Sequence, residues 1–146
     1  MATVQIRHMV NDEENTSKTS RARQIAYWIL TGFLALESLQ SSAWDFNWLN
    51  KGYAINMMQH LGYPSYFLII KGIGTLLAAP VFVLPGMRLL KEWAYFGTFL
   101  IYISAIASHL AVGDSFQDFI PPVIFLAITV ASWALRPASR RFKFIT

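Results

Sequence analysis

The sequence predicts an all-α protein, an antiparallel bundle of four transmembrane helices with a short interfacial helix in its first outer loop. Three observations support this: four long apolar runs, the distribution of positive charge around them, and the positions of the tryptophans. A helix of about 20 residues, rising ~1.5 Å per residue, crosses ~30 Å of hydrocarbon. The first three runs have that length and the fourth is slightly shorter; they cover residues 25–44, 65–84, 93–112 and 119–135.

Positive charge alternates between the connections. Four Lys or Arg residues precede the first run, two lie between the second and third, and four follow the fourth. The other two connections hold only Lys51, and Lys71 lies inside a run. Cytoplasmic loops carry an excess of Lys and Arg, so both termini are predicted to be cytoplasmic. The ten flanking cations are Arg7, Lys18, Arg21, Arg23, Arg88, Lys91, Arg136, Arg140, Arg141 and Lys143.

Tryptophan rings favour the headgroup level of a bilayer, so they test the predicted span boundaries. Trp28, Trp93 and Trp133 fall at predicted cytoplasmic ends, and Trp44 and Trp48 fall at an outer end. With 55% hydrophobic and 14% charged residues in 146, the chain is predicted to be one membrane domain. Its parts are a polar cytoplasmic tail (1–22), the four-span domain (23–136) and a basic cytoplasmic tail (137–146).

Composition also excludes several kinds of chemistry. The chain has no cysteine, which rules out disulfides and thiolate ligands. The net charge of +4 arises from cations that flank apolar runs, so the bilayer and not nucleic acid is the predicted partner. Catalytic motifs and phosphate-binding loops are absent from the sequence, and its three histidines form no metal motif, so we expect no independent catalytic activity and no metal.

The first run has a rival interpretation. Arg21 and Arg23, followed by an apolar stretch and the small residues 41–43, resemble a cleavable signal peptide. The long polar leader before it and Glu37 inside it favour a membrane span instead. Helix 1 is then expected from about residue 23 to residue 42, after a segment (1–20) that is either a mobile tail or a short surface helix.

The first outer connection, residues 43–62, mixes aromatic and aliphatic residues with Asn and Gln. Such a segment either lies along the membrane interface as a short amphipathic helix or dips into the mouth of the bundle. Pro64 suits the first turn of helix 2, and Pro80 predicts a kink near its other end. A basic inner loop is expected at residues 87–92.

Helix 3 is expected to end at Gly113 and Asp114, followed by an acidic outer turn at 114–118. Pro121 and Pro122 are expected to begin helix 4, because a missing N–H matters little in a first turn. The final segment, in which cations alternate with Phe142, Phe144 and Ile145, is predicted to lie on the inner membrane surface.

Three ionisable residues lie inside the runs: Glu37, Lys71 and His109. Buried charge in a membrane is unfavourable and requires partners or water. The predicted topology places all three in one outer half-layer, with His60 and Asp114 just above them. We therefore predict that Glu37 pairs with Lys71.

Helical spacing supports inward orientation of these groups, since small and polar residues belong at helix contacts. Two inward stripes are predicted: Lys71, Gly74, Thr75 and Ala78 on helix 2, and Thr98, Tyr102, Ala105 and His109 on helix 3. A structural role for each of these residues is the alternative to a functional one. The Glu37–Lys71 pair would then only set the register of the helices, or Lys71 would extend to the outer interface. His109 would cap the end of its helix or bond a loop carbonyl.

Four ordered motifs resemble the DoxX-like family of small four-helix membrane proteins. They are the sequences at 60–67 (HLGYPSYF), 84–86 (LPG), 90–97 (LKEWAYFG) and 107–114 (ASHLAVGD), within a resemblance that covers about residues 27–135. It implies a four-span bundle in the bacterial cytoplasmic membrane. Family positions at the outer mouth correspond to His60, Gly62, Tyr63, Pro64, Glu92, His109 and Asp114.

The family resemblance also implies association with quinone-linked oxidoreductase complexes, redox-stress membrane complexes or receptor assembly, but no single reaction. In helix 2 the family pattern often carries a lysine where this chain has Thr75; here the cation is Lys71, one turn outward. A family role for that lysine therefore does not transfer to Thr75.

Two functions compete. The first is a membrane subunit or assembly factor that packs against another membrane protein or a second copy. The second is a quinone- or lipid-binding subunit of an oxidoreductase, with a proton-exchanging pocket formed by Glu37, Lys71, Tyr102 and His109. Imidazole changes charge near neutral pH, which suits such a pocket. A transporter is disfavoured because the charge is confined to one half of the bilayer.

Overall fold

The computed structural model describes residues 2–49 and 51–141, with side chains from Thr19 onward. The all-α prediction is confirmed, since every regular element of the described residues is helical. Five α-helices precede one short 3-10 helix at Ala138–Arg140: α1 (Ala2–Asp45), α2 (Tyr53–His60), α3 (Tyr66–Val83), α4 (Arg88–Val112) and α5 (Phe116–Leu135). Of the segment predicted to lie on the inner membrane surface, 136–146, residues 142–146 lie outside the described residues.

Three helices, α3, α4 and α5, are long and apolar enough to cross a membrane. Among the described residues, α1 does not join them, because its apolar part also carries Glu37 and Gln40. The short α2 forms within the first connection, where a short helix is predicted.

Helix α1 is longer at both ends than the predicted 23–42. It runs without a break through the predicted boundary at residue 22, where the sequence contains neither Pro nor Gly. At its other end it reaches Asp45, and Asn47 then adopts a positive φ of 59°. Residues three or four apart form its buried face: Tyr27, Thr31, Leu34, Ser38, Ser42 and Asp45.

The four long helices form a closed set of contacts. α1 packs along α3 and α5, α4 packs along the same two helices, and α2 rests on α1 and α3. An apolar cluster fills the centre, formed by Leu34, Ala35, Phe82 and Tyr95. Polar residues accumulate on both sides of this cluster along the helix axes.

The C-terminal end of α3 is capped by a buried lysine. Lys91 is fully buried, and its Nζ donates hydrogen bonds to the carbonyls of Val81, Phe82 and Leu84, the last at 2.6 Å. The last carbonyls of a helix lack intrahelical partners, so this ammonium stabilises the α3 terminus. Pro80 lies inside α3, and the kink expected there stays a prediction.

The loop between α3 and α4, predicted at 87–92 on the inner side, ends earlier than predicted. Since α4 begins at Arg88, Lys91 and Glu92 belong to its first two turns. Glu92 accepts hydrogen bonds from Arg136 Nη2 (2.9 Å) and Trp133 Nε1 (3.0 Å), which join α4 to the end of α5.

The turn between α4 and α5 agrees with the prediction at its start but not at its end. Gly113 follows α4 with φ 78°, as expected. The prediction that Pro121 and Pro122 begin the last helix is wrong, because α5 begins at Phe116. A capping box between Ser115 and Asp118 starts it: the Ser115 backbone N–H donates to Asp118 Oδ2 at 3.1 Å, and the Ser115 side chain accepts from the Asp118 backbone N–H.

Candidate functional site

A cavity of about 400 Å³ opens among the helices at the end that carries α2. Its wall contains all four candidate ligand-binding residues, Glu37, Lys71, Tyr102 and His109. Much of the remaining lining is apolar and includes Met57, Met58, Leu61, Phe67, Pro122 and Phe125. The candidate residues, which come from three helices, therefore share one space.

The connection between α1 and α3, which contains α2, contributes to this cavity directly. Met57 and Met58 of α2, and Leu61 and Tyr63 just after it, line the space. The sequence alone left open whether this connection dips into the mouth of the helices or lies along the interface. The structure places its second half against the cavity.

The predicted Glu37–Lys71 pair is wrong. Lys71 Nζ instead lies 2.6 Å from Asp45 Oδ2 and 3.0 Å from Ser41 Oγ, so both of its closest partners are on α1. Glu37 lies beside the Tyr102 side chain and within the electrostatic influence of Lys71, but it does not form the ion pair. The cavity wall thus contains a carboxyl–phenol pair beside a lysine–aspartate pair.

Sequence patterns do not predict Asp45 as the partner of Lys71, because helix 1 is expected to end at about residue 42. One further turn brings its side chain onto the buried face shared with Ser38 and Ser42, and leaves it only 3% exposed. The three- and four-residue spacing of these polar residues was the signal that could have found it.

A glycine permits the close approach of α3 at this point. A Cβ on Gly72 would lie 3.0 Å from Asp45 Cβ and 3.1 Å from Phe46 Cζ. The predicted helix 2 stripe is therefore partly wrong: Gly72 is buried, whereas Gly74 is exposed. Thr75 is buried as predicted, and its Oγ1 lies 2.8 Å from Ser42 Oγ.

The predicted inward stripe of helix 3 is confirmed on α4. Thr98, Tyr102 and His109 are buried, and Ala105 is half-buried. All four line the cavity. Residue spacing predicts the buried face of α4 correctly because this helix has no interior Pro and keeps one helical period along its length.

A carboxylate connects the two histidines of this end. Asp114 Oδ1 lies 2.7 Å from His60 Nε2, and Asp114 Oδ2 lies 2.6 Å from His109 Nδ1. Hydrogen bonds from His109 and then from His60 hold the pKa of Asp114 below its usual range. The carboxylate bridges the imidazoles, and the described residues contain no set of three or more His, Asp or Glu side chains arranged to hold a metal ion.

Gly62, Tyr63 and Pro64, which were also predicted for the outer mouth, shape the turn between α2 and α3. The prediction is wrong for Glu92, which pairs with Arg136 at the opposite end of the helices. Gly62 adopts φ 81°, which reverses the chain after α2. A hydrogen bond of 2.8 Å joins Tyr63 Oη to Ser108 Oγ, and the Tyr63 ring stacks on Phe67. Pro64 follows at the approach to α3. This turn therefore ties α2 to α4.

The opposite end contains a polar cluster that sequence patterns do not predict. Ser132 Oγ lies 2.9 Å from Thr31 Oγ1 and 2.8 Å from Tyr95 Oη, joining three helices. The buried Arg136 guanidinium stacks over the Tyr95 ring, with Cζ 4.9 Å from the centroid, and pairs with Glu92. This cluster stabilises helix contacts away from the cavity.

Comparison with known proteins identifies the family of this chain. No curated protein and no solved structure matches the chain. The model of the DoxX-like family matches residues 29–132 of the 146, a range that includes the cavity-lining residues and the His60–Asp114–His109 group. With three helices apolar enough to span a membrane, the protein is a small membrane protein in contact with the lipid bilayer, and it belongs to the DoxX-like family.

Proposed function

We propose that the protein is a four-span subunit of the bacterial cytoplasmic membrane whose outer-half cavity binds the polar headgroup of a quinone or a lipid. The observation that carries this proposal is the shared cavity of Glu37, Lys71, Tyr102 and His109. A space of about 400 Å³ lies within the size range of small-molecule sites.

The lining chemistry suits a polar ring attached to an apolar tail. Lys71 and His109 offer N–H donors to carbonyl or phosphate oxygens, and Glu37 accepts a hydrogen bond from a hydroxyl. Aromatic and aliphatic side chains around them cover the apolar part of such a molecule. These few polar groups would orient the headgroup, while the walls exclude water.

The fourth span is supported by the surroundings of α1. Its ionisable residue within the apolar run, Glu37, faces the cavity and Tyr102 and not lipid, which removes the main objection to burying this helix in a membrane. The tails at 1–22 and 137–146 then lie in the cytoplasm, in agreement with the charge distribution.

Electron transfer at a bound quinone requires a redox cofactor. We therefore place the protein beside a partner membrane protein that carries such a group, with this chain supplying the headgroup site. His109 and Glu37 would exchange protons with the bound molecule.

A second candidate is an assembly factor that acts by packing alone. A groove of about 390 Å³ between α3 and α4 is lined by Gly74, Ala78, Ala94 and Gly97 among others. Small residues allow close approach of a neighbouring helix in a membrane. This groove supports contact with another membrane protein or a second copy of the chain.

Calorimetric titration with decylubiquinone in mild detergent tests the first function. Ala105→Phe fills the cavity, whereas Ala107→Phe adds the same ring on an exposed position of the same helix. We expect Ala105→Phe to weaken binding by at least about tenfold, the equivalent of ~1.4 kcal/mol, and Ala107→Phe to leave it unchanged. Absent binding, or equal binding by both variants, would favour the assembly function.

A further inference from the structure

We propose that His60, Asp114 and His109 form a proton relay between the outer aqueous phase and the cavity. The relay deepens the function proposed above, because it assigns a proton route to the same site. Its three groups come from α2, from the α4–α5 turn and from α4.

Exposure falls steadily along the three side chains. His60 is 54% exposed, Asp114 is 14% exposed and His109 is 9% exposed. His109 also lines the cavity. One end of the series therefore meets solvent and the other meets the proposed ligand.

Both connections are short enough for proton transfer. The His60 Nε2 to Asp114 Oδ1 distance is 2.7 Å, and the His109 Nδ1 to Asp114 Oδ2 distance is 2.6 Å. Each imidazole uses one ring nitrogen on the carboxylate, so its second nitrogen is available on the far side. For His109 that atom is Nε2, and for His60 it is Nδ1.

The backbone holds the central carboxylate in place. The Asp114 N–H donates to the His109 carbonyl at 3.0 Å, and Gly113 supplies the left-handed conformation that this turn requires. On the other side, the hydrogen bond between Tyr63 and Ser108 ties the end of α2 to α4. The alignment of the relay thus does not depend on its own two hydrogen bonds alone.

The ionised carboxylate of Asp114 is the proton acceptor between the two imidazoles. The lowered pKa of Asp114 keeps it ionised at neutral pH, and imidazole changes charge between pH 5 and 8 in general. Three other titratable groups line the cavity beside His109: Glu37, Lys71 and Tyr102. Asp118 is engaged by Ser115 in the capping box.

One proton moves in each passage. A proton released by a ligand hydroxyl binds His109 Nε2, and the Nδ1 proton of the resulting imidazolium moves to Asp114. To receive this proton, His60 first exchanges its Nε2 proton for one on Nδ1 through the surrounding water, which leaves a lone pair on Nε2. The carboxyl group then turns about its Cβ–Cγ bond and delivers its proton to Nε2, and the Nδ1 proton of His60 leaves to water. Uptake follows the same steps in reverse.

Nuclear magnetic resonance of ring-¹⁵N-labelled protein in micelles tests the relay without a ligand, through the rate at which the His109 Nδ1 proton exchanges with water. His60→Gln keeps an N–H donor for Asp114 but cannot pass a proton. Gln59→Ala is the matched control, because it shortens the exposed side chain next to His60 on α2 without touching the relay or the contacts that align it.

We expect His60→Gln to slow this exchange by about a hundredfold and Gln59→Ala to change it by less than about twofold. Asp114→Asn should slow exchange as His60→Gln does. Equal rates in wild type and His60→Gln would overturn the relay, as would equal slowing by His60→Gln and Gln59→Ala. Slow exchange in His60→Gln with no decylubiquinone binding by wild type would retain the relay and refute the proposed ligand.

Discussion

Lys71 and Asp45 form an ion pair across the contact between α3 and α1, with 2.6 Å between Nζ and Oδ2. The pair lies at the cavity wall, and both side chains are largely removed from solvent. Because Lys71 is held by α1, Glu37 is left beside Tyr102 in the cavity wall. The two acidic residues of α1 therefore have different tasks, one in helix packing and one at the proposed ligand site.

Removing one member of this pair should destabilise the protein strongly. We expect Asp45→Ala or Lys71→Ala to reduce the free energy of unfolding by about 3–5 kcal/mol, because each leaves a buried charge without its partner. The double variant should lose much less than the sum. Unfolding in detergent micelles measures this, and a coupling for Glu37 and Lys71 as large as that for Asp45 and Lys71 would contradict the assignment.

Two glycines of α3 provide a matched pair. Gly72→Ala places a Cβ 3.0 Å from Asp45 Cβ, so we expect a loss of about 1–3 kcal/mol in unfolding free energy. Gly74→Ala meets nothing within 4 Å and should stabilise the helix by about 0.4–1 kcal/mol. Thermal unfolding of both variants is the measurement, and the reverse order would show that α3 packs on α1 through another face.

Acid should weaken the end of the protein that carries the histidines. The folded pKa of Asp114 lies below its ordinary value of 3.8 because His109 and His60 donate hydrogen bonds to it. As the pH falls, the unfolded state therefore binds this proton before the folded state does. The stabilisation of the folded protein by ionised Asp114 is complete above the ordinary pKa and is lost as the pH falls through the folded pKa. Unfolding temperatures between about pH 6 and about pH 2 should fall less steeply in Asp114→Asn.

The sequence predicted the helical class and much of the cavity because these depend on local periodicity. The α4 stripe of Thr98, Tyr102 and His109 follows from spacing alone. The partner of Lys71 does not follow from spacing, because it depends on where α1 ends. One further turn of α1 makes Asp45, and not Glu37, the residue that pairs with Lys71. Ends of helices reflect tertiary contacts more than propensity.

Two other predictions, the start of the last helix and the place of Lys91, were wrong for similar physical reasons. Pro121 and Pro122 suggested a helix start, but the capping box at Ser115 begins α5 earlier. Lys91 looked like a loop cation, whereas it is buried against the last carbonyls of α3. The partners of such polar groups come from other helices, which periodicity within one segment does not reveal.

The topology is open to direct measurement because the chain has no cysteine. Single cysteines at four exposed positions report on the two sides: Ser20→Cys, Gln59→Cys, Gln117→Cys and Ser139→Cys. We expect a membrane-impermeant maleimide added to intact cells to label the cysteines at 59 and 117 only. Labelling of the cysteine at 20 or at 139 from outside would refute a four-span arrangement with both ends in the cytoplasm.

Occupation of the cavity is the claim on which the proposed function depends. Native mass spectrometry of the protein, extracted from bacterial membranes in mild detergent, tests it most directly. Wild type and Ala107→Phe should retain a bound quinone or lipid, and Ala105→Phe should not. Wild-type protein that carries no small molecule, or an Ala105→Phe variant that carries the same one, would contradict the account.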